Sequence, residues 1–305
     1  MGGGKREYQI DQRFDQAGPE WTKEKGVCKA GGEILASYGL YELWKKEEGI
    51  ELRKDGEILG VYPKAVALED NRALLKLDKG MLLEVTDNGA REIFSGDKSL
   101  MLSLIASDGN LVYDTDRHSY LLRFGSKSDE LRAVFKESME ETYGLTPHEY
   151  QHKDREHFFE MVKGSKEAAA DAMNYINKHG DGYWEVPSKY MDKEAARAWL
   201  KGFMSGDGSI GYYPRTNRLS VRLFSKNREG LEGLADLMEE HFGIASVIYL
   251  REGGPSQRKD EYTLAVNVKE DMVCFIEEIG SFKRSHQEAI ERFWEAQRRR
   301  RKEEG

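Results

Sequence analysis

The segment MLSLIASDGNL at residues 101–111 returns at residues 200–210 as LKGFMSGDGSI, and this duplication constrains the fold more than any other feature of the chain. Each copy is an apolar run with small residues inside it that ends on an aspartate-glycine pair, Asp108-Gly109 and Asp207-Gly208, at an offset of 207 − 108 = 99. The same offset pairs Arg123 with Arg222, Lys127 with Lys226, Met139-Glu140-Glu141 with Met238-Glu239-Glu240, and Tyr143-Gly144 with Phe242-Gly243. Leu131 finds Leu231 only at an offset of 100, and the copies drift around the loop GGPSQRKD before realigning near Gly180 and Gly280, again at 100. A chain of 305 residues holding such a repeat has room for two matched halves and a further small domain.

Periodicity reads each copy as helix, two strands, helix, two strands, helix. A helix ends at the Asp-Gly. A hairpin follows, Asn110–Tyr113 with His118–Ser126 in the first copy and Ser209–Tyr213 with Arg218–Ser225 in the second. Amphipathic helices come next near Ser128–Thr142 and Asn227–His241, with Leu131, Val134, Phe135 and Met139 at helical spacing and glycines at the C-terminal caps. After a second hairpin, helices run over Lys166–Lys178 and Val268–Ile279.

The second strand of each copy separates two kinds of side chain. Tyr120, Leu122 and Phe124, and likewise Leu219, Val221 and Leu223, share one face; Arg123 and Lys127, and Arg218, Arg222 and Lys226, share the other. Residues 209–228 hold Arg215, Arg218, Arg222, Lys226 and Arg228 with no acid, whereas acids crowd the helices. The net charge of −8 is therefore compatible with a basic sheet face that meets nucleic acid. Residues 1–96 carry 15 Lys+Arg against 18 Asp+Glu, so neither part of the chain is basic in total.

MLSLIASDG and LKGFMSGDG resemble the LAGLIDADG motif of the homing endonucleases over roughly residues 97–295. The resemblance implies an α+β fold in which two pseudosymmetric αββαββα half-domains, 97–190 and 191–305, form a saddle on double-stranded DNA. It implies that the motif helices pack side by side through Ser103, Ala106 and Ser107 on one and Gly202, Ser205 and Gly206 on the other. Ser103 in place of the first motif's glycine is expected to loosen that contact slightly. It further implies metal binding by Asp108 and Asp207, with Gly109 and Gly208 beside them, for Mg²⁺ or Mn²⁺, and catalytic help from Lys127 and Lys226, each 19 residues past its aspartate (127 − 108 and 226 − 207). A hard, oxygen-ligated site suits such ions, which activate water and steady a leaving oxygen. Expected DNA contacts are Arg117, Arg123, Arg215, Arg218, Arg222 and Arg228.

The function this resemblance implies is a monomeric, site-specific DNA endonuclease that hydrolyses one phosphodiester per strand. The alternative on the same scaffold is a non-cleaving DNA-binding regulator or an RNA-splicing maturase. Ser119, Leu121 and Gly125 stand opposite Arg218, Ser220 and Phe224 in the repeat, so an asymmetric target is expected. No initiating Cys or Ser and no terminal His-Asn are visible, which argues against a complete intein. The polar start and the lack of any eighteen-residue apolar window make a cytoplasmic protein the expectation, nucleoid-associated in a prokaryote. Cys28 and Cys274 lack the company a zinc site needs.

Residues 1–96 carry no family resemblance. Residues 33–47, EILASYGLYELWKKE, read as an amphipathic helix; beyond it, turn signals at Asp55-Gly56, Asp70-Asn71, Asp78–Gly80 and Asn88-Gly89 separate short apolar runs. A β-rich accessory domain is the first reading and a winged helix the second. At the other end, Arg298–Lys302 continues a helix begun near Ser285 and is read either as a solvated tail or as a phosphate contact.

Overall fold

A computed structural model describes residues 33–304 apart from 48, 70, 115–118, 153–154, 179–181 and 252–260. Arg117, Cys28 and Gly180 lie outside the described residues. The chain divides into two compact units: one comprises residues 1–77 and 83–92, the other 78–82 and 93–305.

The first unit is built on hairpins. Strands β1 (Glu33–Tyr38), β2 (Tyr41–Lys46), β3 (Gly49–Lys54) and β4 (Glu57–Tyr62) form one antiparallel sheet in sequence order. Strands β5 (Ala65–Leu68), β6 (Arg72–Lys76), β7 (Met81–Thr86) and β8 (Gly89–Phe94) form a second. Tyr38, Tyr41, Leu43, Leu52, Ala73, Leu75 and Val85, drawn from both sheets, make one buried core. The β-rich reading holds, and no helix occurs among this unit's described residues, so the winged-helix alternative does not.

The helix expected over 33–47 is instead the β1–β2 hairpin. Tyr38 pairs with Tyr41, leaving Gly39-Leu40 as a two-residue loop, and Gly39 takes φ +54°, open to glycine at the first central position of such turns. A Cβ there would lie 2.9 Å from the carbonyl oxygen of Asp87. Of the apolar residues read as a helical stripe, Tyr38, Tyr41 and Leu43 enter the core from two short strands, Trp44 is buried beside Leu43, and Ile34, ahead of a β-bulge, is exposed.

The second unit opens with α1 (Gly96–Ala106), followed by β9 (Gly109–Asp114), β10 (Ser119–Ser126), α2 (Asp129–Tyr143), β11 (His148–Gln151), β12 (Phe159–Gly164) and α3 (Lys166–Ile176). After a single 3₁₀ turn at Ser188–Tyr190 the order returns: α4 (Lys193–Asp207), β13 (Gly208–Tyr213), β14 (Arg218–Ser225), α5 (Arg228–Phe242), β15 (Val247–Arg251), β16 (Glu261–Val266) and α6 (Lys269–Glu278). A final helix, α7, spans Arg284–Glu304. The sheets, β11-β12-β10-β9 and β15-β16-β14-β13, have the same topology. This is the twice-repeated αββαββα order that the sequence implies.

Strand registers correct the alignment of the copies. Phe124 pairs with Met161 and Leu223 with Leu264, so β12 and β16 correspond at 264 − 161 = 103. His148 faces Val162 and Val247 faces Ala265, so β11 and β15 still correspond at 247 − 148 = 99. Four extra residues therefore enter between β15 and β16. Beyond them the offset is 103 rather than 100, and the counterpart of Gly280 (φ +66°) is Asn177 (φ +43°), both left-handed at the end of the third helix.

Each helix layer packs on one face of its sheet. Phe124 stacks on Phe135 of α2 at 4.9 Å between ring centroids, and Leu122, Val221 and Leu223 are buried on the same side of their sheets. Helices α2 and α5 begin on Ser128 and Asn227, whose side chains accept from the N–H of Leu131 and Gly230, and both end on left-handed glycines, Gly144 and Gly243. At the start of α1, the wholly buried Lys98 donates to Asp171 (2.7 Å) and to the carbonyl of Lys79 (2.9 Å), and lies 4.4 Å from the Tyr175 ring centroid. Asp171 also accepts from the Tyr143 hydroxyl (2.8 Å), which ties α1, α2 and α3 together.

Candidate functional site: two aspartates at the end of a glycine-serine seam

Helices α1 and α4 lie side by side in the same direction. Ser99 Oγ donates to the carbonyl of Ala195 (2.5 Å) near the start of the seam. Further along, a Cβ added to Gly202 would fall 1.9 Å from Ser103 Oγ, and one added to Gly206 would fall 2.2 Å from Ser107 Oγ. Both pairs differ by 99, so each residue faces its own counterpart, as a two-fold relation between the repeats requires. Ser103 does not loosen the contact: the glycine opposite makes room for its hydroxyl, which donates to the carbonyl of Leu100.

The seam delivers Asp108 and Asp207 to one place. A Cβ on Gly206 would come within 3.5 Å of Asp108 Oδ2, beside the last residue of α4, Asp207 itself. The following glycines let each strand turn back against its helix: a Cβ at Gly109 would meet Ile105 Cα at 2.5 Å, and one at Gly208 the Met204 carbonyl oxygen at 2.4 Å. Any other residue would push the strand, and its aspartate, away from the helix end.

Two lysines that the sequence did not single out complete the site. Lys178, just past α3, donates from Nζ to the carbonyls of Ile105 (2.6 Å) and Ala106 (2.9 Å). Lys283, in the loop between α6 and α7, donates to the carbonyl of Gly206 (2.7 Å). Each caps the C-terminal end of its own motif helix, where the helix dipole favours a cation. Both also stabilise the ionised aspartates. Burial still dominates: it raises the pKa of Asp108, and together with the charge of Asp108 it pushes Asp207 up to about 7. Burial also draws Lys178 down to about 8 against the pull of the two carboxylates.

This donor set fits a hard divalent cation. Two carboxylates that resist ionising together gain from added positive charge, and no third His, Cys, Asp or Glu joins them among the described residues. Water and phosphate oxygens would fill the remaining positions, as Mg²⁺ prefers. Cys274 is a free thiol in α6 and takes no part.

Lys127 and Lys226 follow the second strand of each repeat. Both are exposed at the entries to α2 and α5, lining open depressions of about 690 and 560 Å³, and neither is among the charges that act on the aspartates. Arg228 is on α5, ion-paired with Glu232 at 2.9 Å. The other arginines are on or beside strands. On the helix-free face of the second sheet, cross-strand pairing aligns Tyr213 with Arg218 and Ser209 with Arg222. Arg218, Arg222 and Arg251 are exposed there, next to Tyr249, and Arg215 is exposed in the β13–β14 turn. The equivalent face of the first sheet is different: Val112 pairs with Leu121, and Gly125 lies under Phe158. Arg123 is half-buried among them, with Nε lacking a hydrogen-bond partner. Helix α7 packs behind the second hairpin through Phe293 on Tyr212, and Gln297 donates to Asn217 at 3.3 Å in the turn. The run Arg298–Lys302 continues from there.

Comparison with known families places the second repeat. Residues 194–280 match the family model of the LAGLIDADG-like domain. The second repeat is a LAGLIDADG-like domain. The first repeat carries the same element order and the same topology. No curated protein sequence matches the chain. Among solved structures, variants of the homing endonuclease I-DmoI are similar at 20% identity and TM-score 0.46, covering 60% of this chain and 88% of theirs. I-DmoI in complex with DNA and Mn is similar at 18% and 0.45, with 61% and 96% covered. The N-terminal LAGLIDADG domain of DUF199/WhiA is similar at 17% and 0.41, with 63% and 87% covered.

Proposed function

We propose that this protein is a DNA endonuclease of the homing type, which binds double-stranded DNA across its two repeats and hydrolyses one phosphodiester in each strand at Asp108 and Asp207. The observation that carries the reading is the seam, because it brings two carboxylates together at the ends of paired helices, Asp108 open to solvent and Asp207 half-buried, and sets a lysine beside each. A divalent cation held by Asp108 and Asp207 would supply Lewis acidity towards a phosphate oxygen and a more acidic bound water. Lys178 and Lys283 supply positive charge where the pentavalent phosphate gathers negative charge, and their bonds to the helix-end carbonyls hold that charge in place before the substrate arrives. Lys178, with a pKa drawn towards neutrality, can also take up or release a proton at Nζ. Arg215, Arg218, Arg222 and Arg251 give the second repeat a phosphate- and base-contacting face, with the Arg298–Lys302 run behind its hairpin tip.

A monomer is consistent with a site completed by two halves of one chain. The rival reading, a binding protein without cleavage, keeps the arginines but gives no reason to set two carboxylates side by side where phosphates would lie. Cleavage of a randomised plasmid library in Mg²⁺, with Asp108→Asn and Asp207→Asn as controls, separates the two. Linear products from the wild-type chain and none from either variant are expected; tight binding without cutting on any sequence would sink the enzyme reading.

A further inference from the structure

Ser205 stands at the sixth motif position, wholly buried. Its hydroxyl donates to the carbonyl of Lys201 (2.7 Å), accepts the backbone N–H of Phe282 (2.8 Å) and lies 3.0 Å from the Ser281 hydroxyl. Ser281 Oγ accepts the backbone N–H of Lys283 (3.2 Å) and lies 2.8 Å from Nδ1 of the buried His286. The hydrogen count sets the direction of the chain. With the Ser205 proton on Lys201, Ser281 must donate to Ser205, so it accepts from His286, whose proton sits on Nδ1. Burial and the nearby Lys283 charge draw the His286 pKa down to about 4, so the ring is neutral at physiological pH. Phe282 is pinned from its other side by the Lys201 ammonium, 4.3 Å from the ring centroid.

All of these bonds converge on the loop that carries Lys283. On the opposite side of the seam the sixth motif position is Ala106, which has no hydroxyl, and Lys178 follows two residues after the end of α3. The first lysine is placed by a short reach from a helix end. The second sits five residues beyond the end of α6 and needs a frame.

We infer that Ser205, Ser281 and His286 form a positioning relay that fixes Lys283 against the end of α4, so that the two aspartates are served by lysines held in two unlike ways. The effect on cleavage rests on the endonuclease reading; the placement of Lys283 does not. Amine acetylation of the full-length protein, read residue by residue by peptide mass spectrometry, tests the placement. Single-turnover cleavage tests its consequence.

Ser205→Ala and His286→Ala are expected to raise the acetylation rate of Lys283 by about five-fold or more, with Lys178 unchanged, because the local frame opens while the fold does not. His286→Asn, whose amide can put an N–H near the Nδ1 position, should restore slow acetylation. In cleavage, the two alanine variants should lose roughly ten-fold in single-turnover rate at unchanged DNA affinity, with recovery in His286→Asn. Unchanged Lys283 acetylation in both alanine variants overturns the relay. An equal rise at Lys178 overturns it too, since that marks a general loosening. If the wild-type chain cuts no DNA while the acetylation pattern is as expected, the endonuclease reading fails and the relay stands.

Discussion

At the scale of single residues, Asp207 sets the pH behaviour of the molecule. Its folded pKa of about 7 lies above the ordinary carboxylate value of 3.8, so the native state holds this proton more tightly than the unfolded chain. The resulting stability is fully present below about pH 4 and is lost as the pH rises through about 7. Asp207→Asn is neutral throughout and escapes that loss. The variant should therefore melt at a higher temperature than wild type at pH 8.5, by a smaller margin at pH 5, and at nearly the same temperature at about pH 3.5, as followed by circular dichroism. Added Mg²⁺ should raise the wild-type melting temperature at pH 8.5 and leave the variant unmoved, because only the native carboxylate pair binds it. A gap between variant and wild type that is the same at pH 8.5 and pH 5 would refute desolvation and the neighbouring Asp108 charge as the source of the shift. The aspartates were legible in the sequence because the repeat paired them. Lys178 and Lys283 were not, because they differ by 283 − 178 = 105 while the elements before them differ by 103, and each lies in a loop rather than in a repeated element.

At the scale of elements, the seam between α1 and α4 depends on absent side chains. Glycine in a helix interior costs about 1 kcal/mol relative to alanine, so Gly202→Ala on helix propensity alone should stabilise. The packing predicts the reverse: the new Cβ would lie 1.9 Å from Ser103 Oγ and 2.9 Å from Leu100 Cδ1, an overlap of the kind that costs about 1–3 kcal/mol. Gly202→Ala should therefore lower stability in urea unfolding, and exchanging the pair, Ser103→Gly with Gly202→Ala, should recover most of it. A stabilised single variant would mean that the helices stand further apart than this. The order of elements in both repeats was readable because caps, hairpin turns and periodicity agreed with one another there. In the N-terminal unit they conflicted. Residues 33–47 have helical spacing on paper, and the local signal that opposed it, Gly39 at the head of a two-residue turn, is a single residue.

At the scale of the whole molecule, the two repeats share a topology and differ in what their sheets present. The second sheet exposes Arg218, Arg222 and Arg251 on its helix-free face, where the first presents Leu121, Gly125 under Phe158 and a half-buried Arg123. Acidic helices carry the opposite charge, which is how a chain of net charge −8 can hold a cationic face. If the second repeat supplies most of the phosphate contacts, affinity and its salt dependence belong chiefly to one half-site. Each phosphate neutralised contributes about −0.9 to the slope of log K against log salt on duplex DNA. The double variant Arg218→Ser, Arg222→Ser should therefore flatten the slope by up to about 1.8, whereas Arg123→Ser should change it by well under 0.9, because a half-buried side chain reaches few phosphates. Fluorescence anisotropy on one duplex across a salt series measures both, and footprinting on the same duplex should show protection that is stronger on the side bound by the second repeat. Equal slope changes per arginine removed, with symmetric footprints, would mean that the first sheet rearranges on DNA to expose Arg123, and the asymmetry would then belong to the free protein alone.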